Sequence, residues 1–368
     1  MTSYIKGLDG LRGIAIILVM LFHFRRYDFG EIGLDVGWVG VQMFFVLSGF
    51  LITRILLNEK HQSIDKYLKR FYWRRSLRIF PVYFAYLFVL TISFWLFDFP
   101  DTLGEKAAWL YTYTYNFTRL LPDWSHSVFF THLWSLSVEE QFYLIWPMLI
   151  FFFRDKALKF IIIGIIIISP IIRWVLAHFL LTHTSLDYHA AGEAVYWFTF
   201  SHLDAFAFGG AIPIFKISEK FKRLDLLCLL LFLVVAIMGI INFIVLQHSP
   251  IPHISSLGYP IASLNYGQHI WSYTLLNAFF ASLILWISYS TAGRLFSNPF
   301  LVSVGKVSYG MYLFHWGILG IFNQTVGGFL ANSLVIFVIY FFSVYIFASL
   351  SYHFFESHFL KLKDGIKF

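Results

Sequence analysis

Charged residues and cysteine are both scarce in this sequence. Aspartate, glutamate, lysine and arginine together make up 13% of its 368 residues, about half of the roughly 25% that is usual in soluble domains. With so few charges and so many apolar residues, an intrinsically disordered chain is excluded. The single cysteine, Cys228, excludes a disulfide scaffold, and its apolar surroundings in sequence predict a small core residue.

Apolar residues are correspondingly abundant in the sequence. They make up 59% of the chain, including 45 phenylalanines and 12 tryptophans, where soluble domains have roughly 45–50%. One water-soluble core of this size cannot hide so much apolar surface. The composition therefore predicts that a lipid bilayer solvates most of the protein.

Ten segments are candidates for crossing that bilayer, because a hydrocarbon core about 30 Å thick needs about 20 apolar residues in a helix. We therefore predict an all-α polytopic membrane protein. No segment of soluble-domain size remains, so residues 1–368 are expected to form one membrane domain without an appended extracytoplasmic domain. The predicted spans are residues 8–24, 36–57, 78–97, 137–153, 158–180, 203–215, 226–246, 271–289, 307–323 and 330–352.

The distribution of basic residues predicts the orientation of these spans. With the N-terminus in the cytoplasm, 21 of the 27 lysines and arginines fall in inner segments, eight of them in residues 54–78, and only four fall in outer loops. By the positive-inside rule, both termini are predicted to be cytoplasmic. The net charge of +7 then faces membrane lipid headgroups or an anionic cytosolic ligand, and nucleic acid is not an expected partner.

The first predicted span carries Arg12 and His23 within its apolar run. Their spacing is about three helical turns plus 20°, so both side chains project from one face, roughly 16 Å apart along the axis. Asp9 lies one turn before Arg12 and is expected to pair with it. A snorkelling arginine and a hydrogen-bonded core histidine would explain each residue alone. Because ionisable groups within a membrane are costly, the aligned pair favours a function.

A second basic feature precedes the third predicted span. Residues 69–78 hold five cations interleaved with phenylalanine, tyrosine and tryptophan. Composition alone favours a cytoplasmic anchor with its aromatic belt. The alternative is a site for a phosphorylated cytosolic ligand, because guanidinium groups bind phosphate bidentately. Arg75 and Arg78, one helical turn apart, are spaced to share one phosphate group.

Polar residues also open the fourth predicted span, which enters from the outer side. Glu139, Glu140, Gln141 and Tyr143 follow one another closely there. The start of a helix explains a serine N-cap and one carboxylate. It does not explain two adjacent acids followed by an amide. The predicted topology puts this patch on the side toward which His23 projects. A carboxylate and an imidazole converging there would suit general-base chemistry.

Three weaker candidates lie within other spans. Gln42 and Ser48 are polar residues in the second span, where small residues more often serve close helix packing. His315 lies in the middle of the ninth span, and a buried structural role and a place in the site are equally compatible with that position. The histidines of the outer loops lack zinc-ligand spacing, so no metal is expected.

Six stretches in this order resemble the signatures of the acyltransferase 3 family, which consists of integral-membrane acyltransferases, mostly bacterial. The first is Leu8-Asp9-Gly10-Leu11-Arg12-Gly13 with His23 behind it. The others are residues 44–52, 75–81, 134–143, 308–316 and 351–356. The resemblance covers nearly the whole chain.

The resemblance implies a reaction and assigns residues to it. The donor would be cytosolic acyl-CoA, usually acetyl-CoA, and the acceptor a hydroxyl of a surface glycan, a lipid-linked sugar or a small molecule. Arg12 and His23 would be the essential pair, Arg75 and Arg78 the arginine motif, and Glu139 the glutamate of the fourth signature. The expected location is the inner or plasma membrane of a bacterium.

Motifs and topology together predict a membrane-bound O-acyltransferase. His23 would act as general base or briefly carry the acyl group, and both alternatives stay open at this point. The alternative from another class is an ion-coupled or polysaccharide transporter. Such a protein would more often have inverted repeats and glycine- or proline-interrupted helices in matching positions, and neither is evident in the sequence.

Overall fold

The computed structural model describes residues 4–25, 32–99, 102–121, 124–246, 254–325 and 332–362. Within these ranges the regular structure is helical, and they contain no strand. The helices are α1 (Lys6–Arg25), α2 (Val39–Glu59), α3 (Ile64–Phe97), α4 (Leu103–Tyr111), α5 (Trp134–Phe152), α6 (Asp155–His183), α7 (Tyr188–Trp197), α8 (Leu203–Ile214), α9 (Ile217–Lys220), α10 (Leu224–Leu246), α11 (Gln268–Tyr289), α12 (Pro299–Lys306), α13 (Ser308–Thr325), α14 (Ser333–Ser351) and α15 (Ser357–Leu362). The prediction of an all-α protein is confirmed for the described chain.

Seven helical segments among the described residues are long and apolar enough to cross a membrane: Lys6–Arg25, Asp35–Glu59, Ile64–Phe97, Asp155–His183, Leu224–Leu246, Asn265–Tyr289 and Ser333–Leu362. Each overlaps one predicted span. The spans predicted at 137–153, 203–215 and 307–323 also form helices, namely α5, α8 and α13, but these are not among the seven. The count of ten and the orientation of the termini stay predictions.

Helix α3 differs in length from its predicted span, whereas helix α8 matches its own to within one residue. Helix α8 has 12 residues, or about 18 Å, which is shorter than the roughly 30 Å hydrocarbon core. Helix α3 has 34 residues and begins 14 residues before the predicted span, so the basic stretch 69–78 is part of one continuous helix. At about 51 Å, α3 is too long to lie wholly within the hydrocarbon core.

The chain forms two compact units, each built from two separate stretches of sequence. Unit 1 comprises residues 1–55 and 152–306, and unit 2 comprises residues 56–151 and 307–368. Helices α1 and α6 to α12, and residues 39–55 of α2, belong to unit 1. Helices α3 to α5 and α13 to α15 belong to unit 2.

Close helix approaches hold unit 1 together. A Cβ added to Gly10 of α1 would lie 1.7 Å from the carbonyl oxygen of Phe296, just before α12. A Cβ added to Gly49 of α2 would lie 2.2 Å from the carbonyl oxygen of Phe206 in α8. Only glycine permits these approaches. Gly49 of the second span therefore serves close helix packing.

Apolar side chains cover the outward surface of several helices. Helix α10 leaves most of its leucine, isoleucine, valine and phenylalanine side chains exposed, from Leu226 to Val245. Helices α6 and α14 do the same. A water-soluble monomer does not expose contiguous apolar patches of this extent. With seven spanning segments, this surface is that of a multi-pass membrane protein.

Candidate functional site

Arg12 and His23 both lie on α1, as their spacing predicts. The Arg12 guanidinium donates to the Asp9 carboxylate over 2.6 Å, and this confirms the expected pair one turn apart. The hydroxyl of Tyr4 donates to the other Asp9 oxygen over 2.5 Å. Asp9 is buried, whereas the Arg12 side chain is 20% exposed. The arginine is thus held in place by its carboxylate and still reachable from outside the helix bundle.

His23 is buried near the end of α1, with 7% of its surface exposed. Its ring meets the neighbouring Phe22 ring edge to face, with 5.1 Å between the ring centroids. Residues 11 apart on a continuous α-helix are about 16 Å apart along its axis. One helix of unit 1 therefore carries a paired guanidinium at one end and a buried imidazole near the other.

In unit 2, three predicted residues meet where α3 and α5 face each other. The Arg75 guanidinium lies over the ring of Tyr143, 5.0 Å from its centroid, which is cation–π geometry. The Tyr143 hydroxyl donates to the Glu139 carboxylate one turn earlier. Glu139 and Glu140 both interact electrostatically with Arg75. Arginine, tyrosine and glutamate thus form one cluster, which we call the Arg75 cluster.

The cations before and around Arg75 differ in how their charges are balanced. Arg70 and Arg74 pair with Glu59, at 3.3 and 3.8 Å, and Lys69 pairs with Asp65 at 2.9 Å. Arg78 is exposed and makes no ion pair within the described part of the chain. Arg75 and Arg78 also lie close enough to repel each other electrostatically. Arg75 and Arg78 thus lie outside the ion pairs with Glu59 and Asp65, and the acids that act on them electrostatically are Glu139 and Glu140 for Arg75 and Glu356 for Arg78.

His315 belongs to a buried hydrogen-bonded network between α13 and the start of α5. Its Nδ1 lies 2.6 Å from the carbonyl oxygen of Tyr312, and its ring meets that of His132 with 5.1 Å between centroids. His132 in turn has Nε2 3.0 Å from the carbonyl oxygen of Leu313. Burial lowers the pKa of His132 well below its usual value, so this ring stays neutral. The Tyr312 hydroxyl contacts that of Ser135 over 2.5 Å. These contacts support the structural interpretation of His315.

Gln42 and Ser48 lie on α2 in unit 1. The Gln42 amide nitrogen lies 3.0 Å from Nδ1 of His202, and both side chains are fully buried. Ser48 is half-buried. His202 follows α7 by five residues and is separated from Gln42 by 160 positions in sequence, so no local pattern could have revealed this pairing.

A buried ion pair in unit 1 escaped the sequence analysis. Arg173 of α6 and Asp204 of α8 are both fully buried, with 3.0 Å between Nη1 and Oδ2. Arg173 also donates to the carbonyl oxygens of Ser201 and Ile270. Thr274 donates to Asp204 over 2.6 Å. The sequence contains the information needed to predict this pair, because an arginine within one predicted span and an aspartate within another each require a partner of opposite charge.

No group of three or more histidine, cysteine, aspartate or glutamate residues that could hold a metal ion is found in the described ranges.

The chain belongs to the acyltransferase 3 family: the family model described as "acyltransferase domain" matches residues 5–353. The match includes α1 with Arg12 and His23, the Arg75 cluster, and His315, and it extends over both compact units. No solved structure gives a significant match to the chain.

Several curated bacterial proteins are similar to the chain. A protein of Staphylococcus aureus (strain COL), provisionally named an O-acetyltransferase, is 29% identical over 390 residues, covering 99% of this chain and 58% of the relative. The peptidoglycan O-acetyltransferase OatA of Listeria monocytogenes is 29% identical over 324 residues, covering 74% of this chain and 50% of OatA. The O-acetyltransferase OatA of S. aureus (strain NCTC 8325) is 27% identical, covering 87% and 51%. The chain thus spans only about half the length of these relatives.

Proposed function

We propose that this protein is a membrane-bound O-acetyltransferase that moves an acetyl group from cytosolic acetyl-CoA to a hydroxyl of a glycan. The observation that carries the proposal is the family match, which includes the buried His23 and the Arg75 cluster within one acyltransferase domain. The names of the relatives add the acetyl group and, for the Listeria protein, peptidoglycan as the acceptor.

His23 is the proposed catalytic residue. In the simplest form of the reaction, its neutral imidazole takes the proton of the acceptor hydroxyl while the oxygen attacks the thioester carbonyl. The carbon–sulfur bond then breaks, and the leaving thiolate takes up a proton. In the other form, the imidazole first accepts the acetyl group and passes it on. Burial of His23 supports both forms, since a dry site protects an activated acyl group from water.

Arg12 is proposed to line the path of the donor toward His23. Its salt bridge with Asp9 fixes the guanidinium near the other end of α1, and its partial exposure keeps the guanidinium within reach of an anionic or carbonyl group of the donor. The Tyr4 hydroxyl supports the same carboxylate. We assign Arg12 a binding role and no transfer of protons, because a guanidinium stays protonated.

Arg75 and Arg78 are the proposed binding residues for the donor's phosphate groups. Two features support this assignment: a guanidinium fork matches phosphate oxygens bidentately, and neither arginine appears in the pairings with Glu59 and Asp65 that balance the other cations. The Tyr143 ring beneath Arg75 holds the side chain in one orientation.

Glu139 is proposed to interact with the acceptor hydroxyl. Its contact with the Tyr143 hydroxyl orients the carboxylate and joins it to Arg75 through the same tyrosine. Ten spans with both termini in the cytoplasm would put the start of α3 toward the inside and the start of α5 toward the outside. Because Arg75 contacts Tyr143, which bonds to Glu139, these groups lie at the same depth, and we propose that donor and acceptor meet at this cluster and not on opposite faces. Residues 1–368 would then act as one catalytic membrane domain.

The proposal is tested with purified protein in liposomes supplied with acetyl-CoA and a panel of acceptors that includes soluble peptidoglycan fragments. Release of free thiol and a gain of one acetyl mass on the acceptor are expected together. Uptake of an acceptor into the liposomes without either change would instead support the transporter alternative.

A further inference from the structure

Unit 1 contains an apolar cavity that takes no part in the roles proposed so far. Its volume is about 340 Å³, within the roughly 300–1,000 Å³ of ligand pockets. Side chains from α6, α8, α10, α11 and residues 215–221 line it, and all of them except Ser282 are apolar. One lining residue, Ile163, is 44% exposed, so the cavity opens to the lipid-facing surface. Such a lining suits a hydrocarbon chain better than a polar ligand.

Residues 215–223, which include α9, form one end of the cavity. Apolar residues that line the cavity alternate there with exposed cations. The apolar members are Phe215, Ile217 and Phe221, and the basic members are Lys216, Lys220, Lys222 and Arg223. The ammonium group of Lys220 lies over the Phe215 ring, 5.9 Å from its centroid. A positive charge therefore lies at the edge of the apolar cavity.

Helix α6 brings a second cation to the same end of the cavity. Lys159 precedes Ile163 by four residues and Ile166 by seven, so it shares a helix face with two lining residues. From the Arg173–Asp204 pair, the lining residues lie toward the start of α6 and toward the end of α8. Lys159 and Lys220 both lie farther along in that direction. Two separate elements thus place a lysine at one end of the same cavity.

These two lysines are not balanced by acids of the chain. Lys159 and Lys220 make no ion pair within the ranges that the structure describes, whereas Arg223 pairs with Asp225 at 3.2 Å. Glu219, the one acid of residues 215–223, is exposed. An apolar cavity with two ammonium groups at one end matches a molecule that has a hydrocarbon chain and an anionic head.

We propose that this cavity binds one acyl chain of an anionic phospholipid, whose phosphate is held by Lys159 and Lys220. The predicted topology supports the choice of a phospholipid. Residues 154–159 and 216–223 are both predicted inner segments, and the cytoplasmic leaflet is the one that attracts basic residues through its anionic lipids. This site is independent of the proposed transfer reaction.

Native mass spectrometry of the delipidated protein with added phosphatidylglycerol tests the role of the lysines. Wild type should bind phosphatidylglycerol about tenfold more tightly than phosphatidylcholine with the same acyl chains, because the choline cation offsets the phosphate charge. Lys159→Gln and Lys220→Gln should each weaken phosphatidylglycerol binding about fivefold, and together about 25-fold. Lys66→Gln is the matched control, since Lys66 is an exposed lysine of unit 2, and it should bind like wild type.

Filling the cavity tests the role of the acyl chain. Ile163→Trp adds volume at the partly exposed edge and should weaken the binding of both lipids about tenfold. Ala278→Phe fills the cavity from α11 and provides a second, independent variant. Phosphatidylglycerol should raise the thermal unfolding midpoint of wild type by mass action, and should raise that of either filled variant less.

Three results would overturn the inference. The first is equal affinity of wild type for phosphatidylglycerol and phosphatidylcholine, which would mean that the cavity holds bulk lipid only. The second is phosphatidylglycerol binding as tight as wild type in the double lysine variant or in both filled variants. The third is tighter binding of palmitoyl-CoA than of phosphatidylglycerol, which would assign the cavity to the acyl chain of a donor. Loss of acetyl transfer in wild type would overturn the proposed function and leave this site unaffected.

Discussion

Replacing Arg75 should weaken donor binding by an amount that its surroundings allow us to calculate. The guanidinium is half-buried and lies 5.0 Å from the Tyr143 ring centroid, so it is pre-oriented and partly shielded from water. A hydrogen bond between charged groups in such a setting contributes about 1.5–3 kcal/mol. Arg75→Ala should therefore raise the KM for acetyl-CoA roughly 10- to 150-fold.

The exposed Arg78 should contribute less. Solvent and salt screen its charge, and an interaction of about 0.2–1 kcal/mol corresponds to a rise of roughly 1.4- to 5-fold in Arg78→Ala. Arg75→Lys should recover only part of the loss, because lysine keeps the charge but lacks the planar fork. Arg74→Ala is the matched control, since Arg74 is the adjacent cation and already pairs with Glu59.

The assay is steady-state thiol release in liposomes, varying donor and acceptor separately at fixed protein insertion. The reasoning predicts that the donor KM rises in Arg75→Ala while the acceptor KM and the Arg74→Ala control do not change. A donor KM equal to wild type in both Arg75→Ala and Arg78→Ala would refute phosphate recognition. The basic stretch of α3 would then be a lipid anchor.

Two further predictions concern stability and topology. Asp204→Asn leaves Arg173 as an uncompensated buried charge and should destabilise the protein by about 3–5 kcal/mol. The thermal unfolding midpoint in detergent should therefore fall. An unchanged midpoint would mean that water hydrates the pair. Single cysteines at the exposed positions Lys66 and Glu105, in a Cys228→Ser background, should react with an impermeant maleimide from opposite sides of the membrane. Reaction of both from one side would contradict the proposed topology.

The parts of the site that depend on helical periodicity could be predicted from the sequence. The spacing of Asp9 and Arg12 led directly to their salt bridge, because residues three apart on a helix are neighbours. The same rule applies to Glu139 and Tyr143, four residues apart on α5, which the structure joins by a hydrogen bond that we did not predict. Long apolar runs likewise predicted the helices, because hydrocarbon thickness dictates their length.

Contacts between distant segments could not be predicted in this way. Gln42 and His202, or Arg173 and Asp204, meet only because α2, α6 and α8 pack together, and a single sequence contains no measure of that packing. Helix α3 illustrates a related limit. It begins at Ile64, 14 residues before its predicted span, because the basic stretch that precedes the apolar run continues the same helix. Hydropathy locates the apolar run of a helix but does not determine where the helix begins.

Acetyl transfer by His23→Gln tests the central claim most directly, because glutamine keeps a polar side chain of similar size but cannot act as a base or carry an acyl group. We predict that turnover falls about 10²- to 10⁴-fold, while membrane insertion and the unfolding midpoint match wild type. His178→Gln, at an exposed position of α6, is the control and should keep full turnover. Near-normal turnover of a correctly inserted His23→Gln protein would contradict the proposed catalytic role of this histidine.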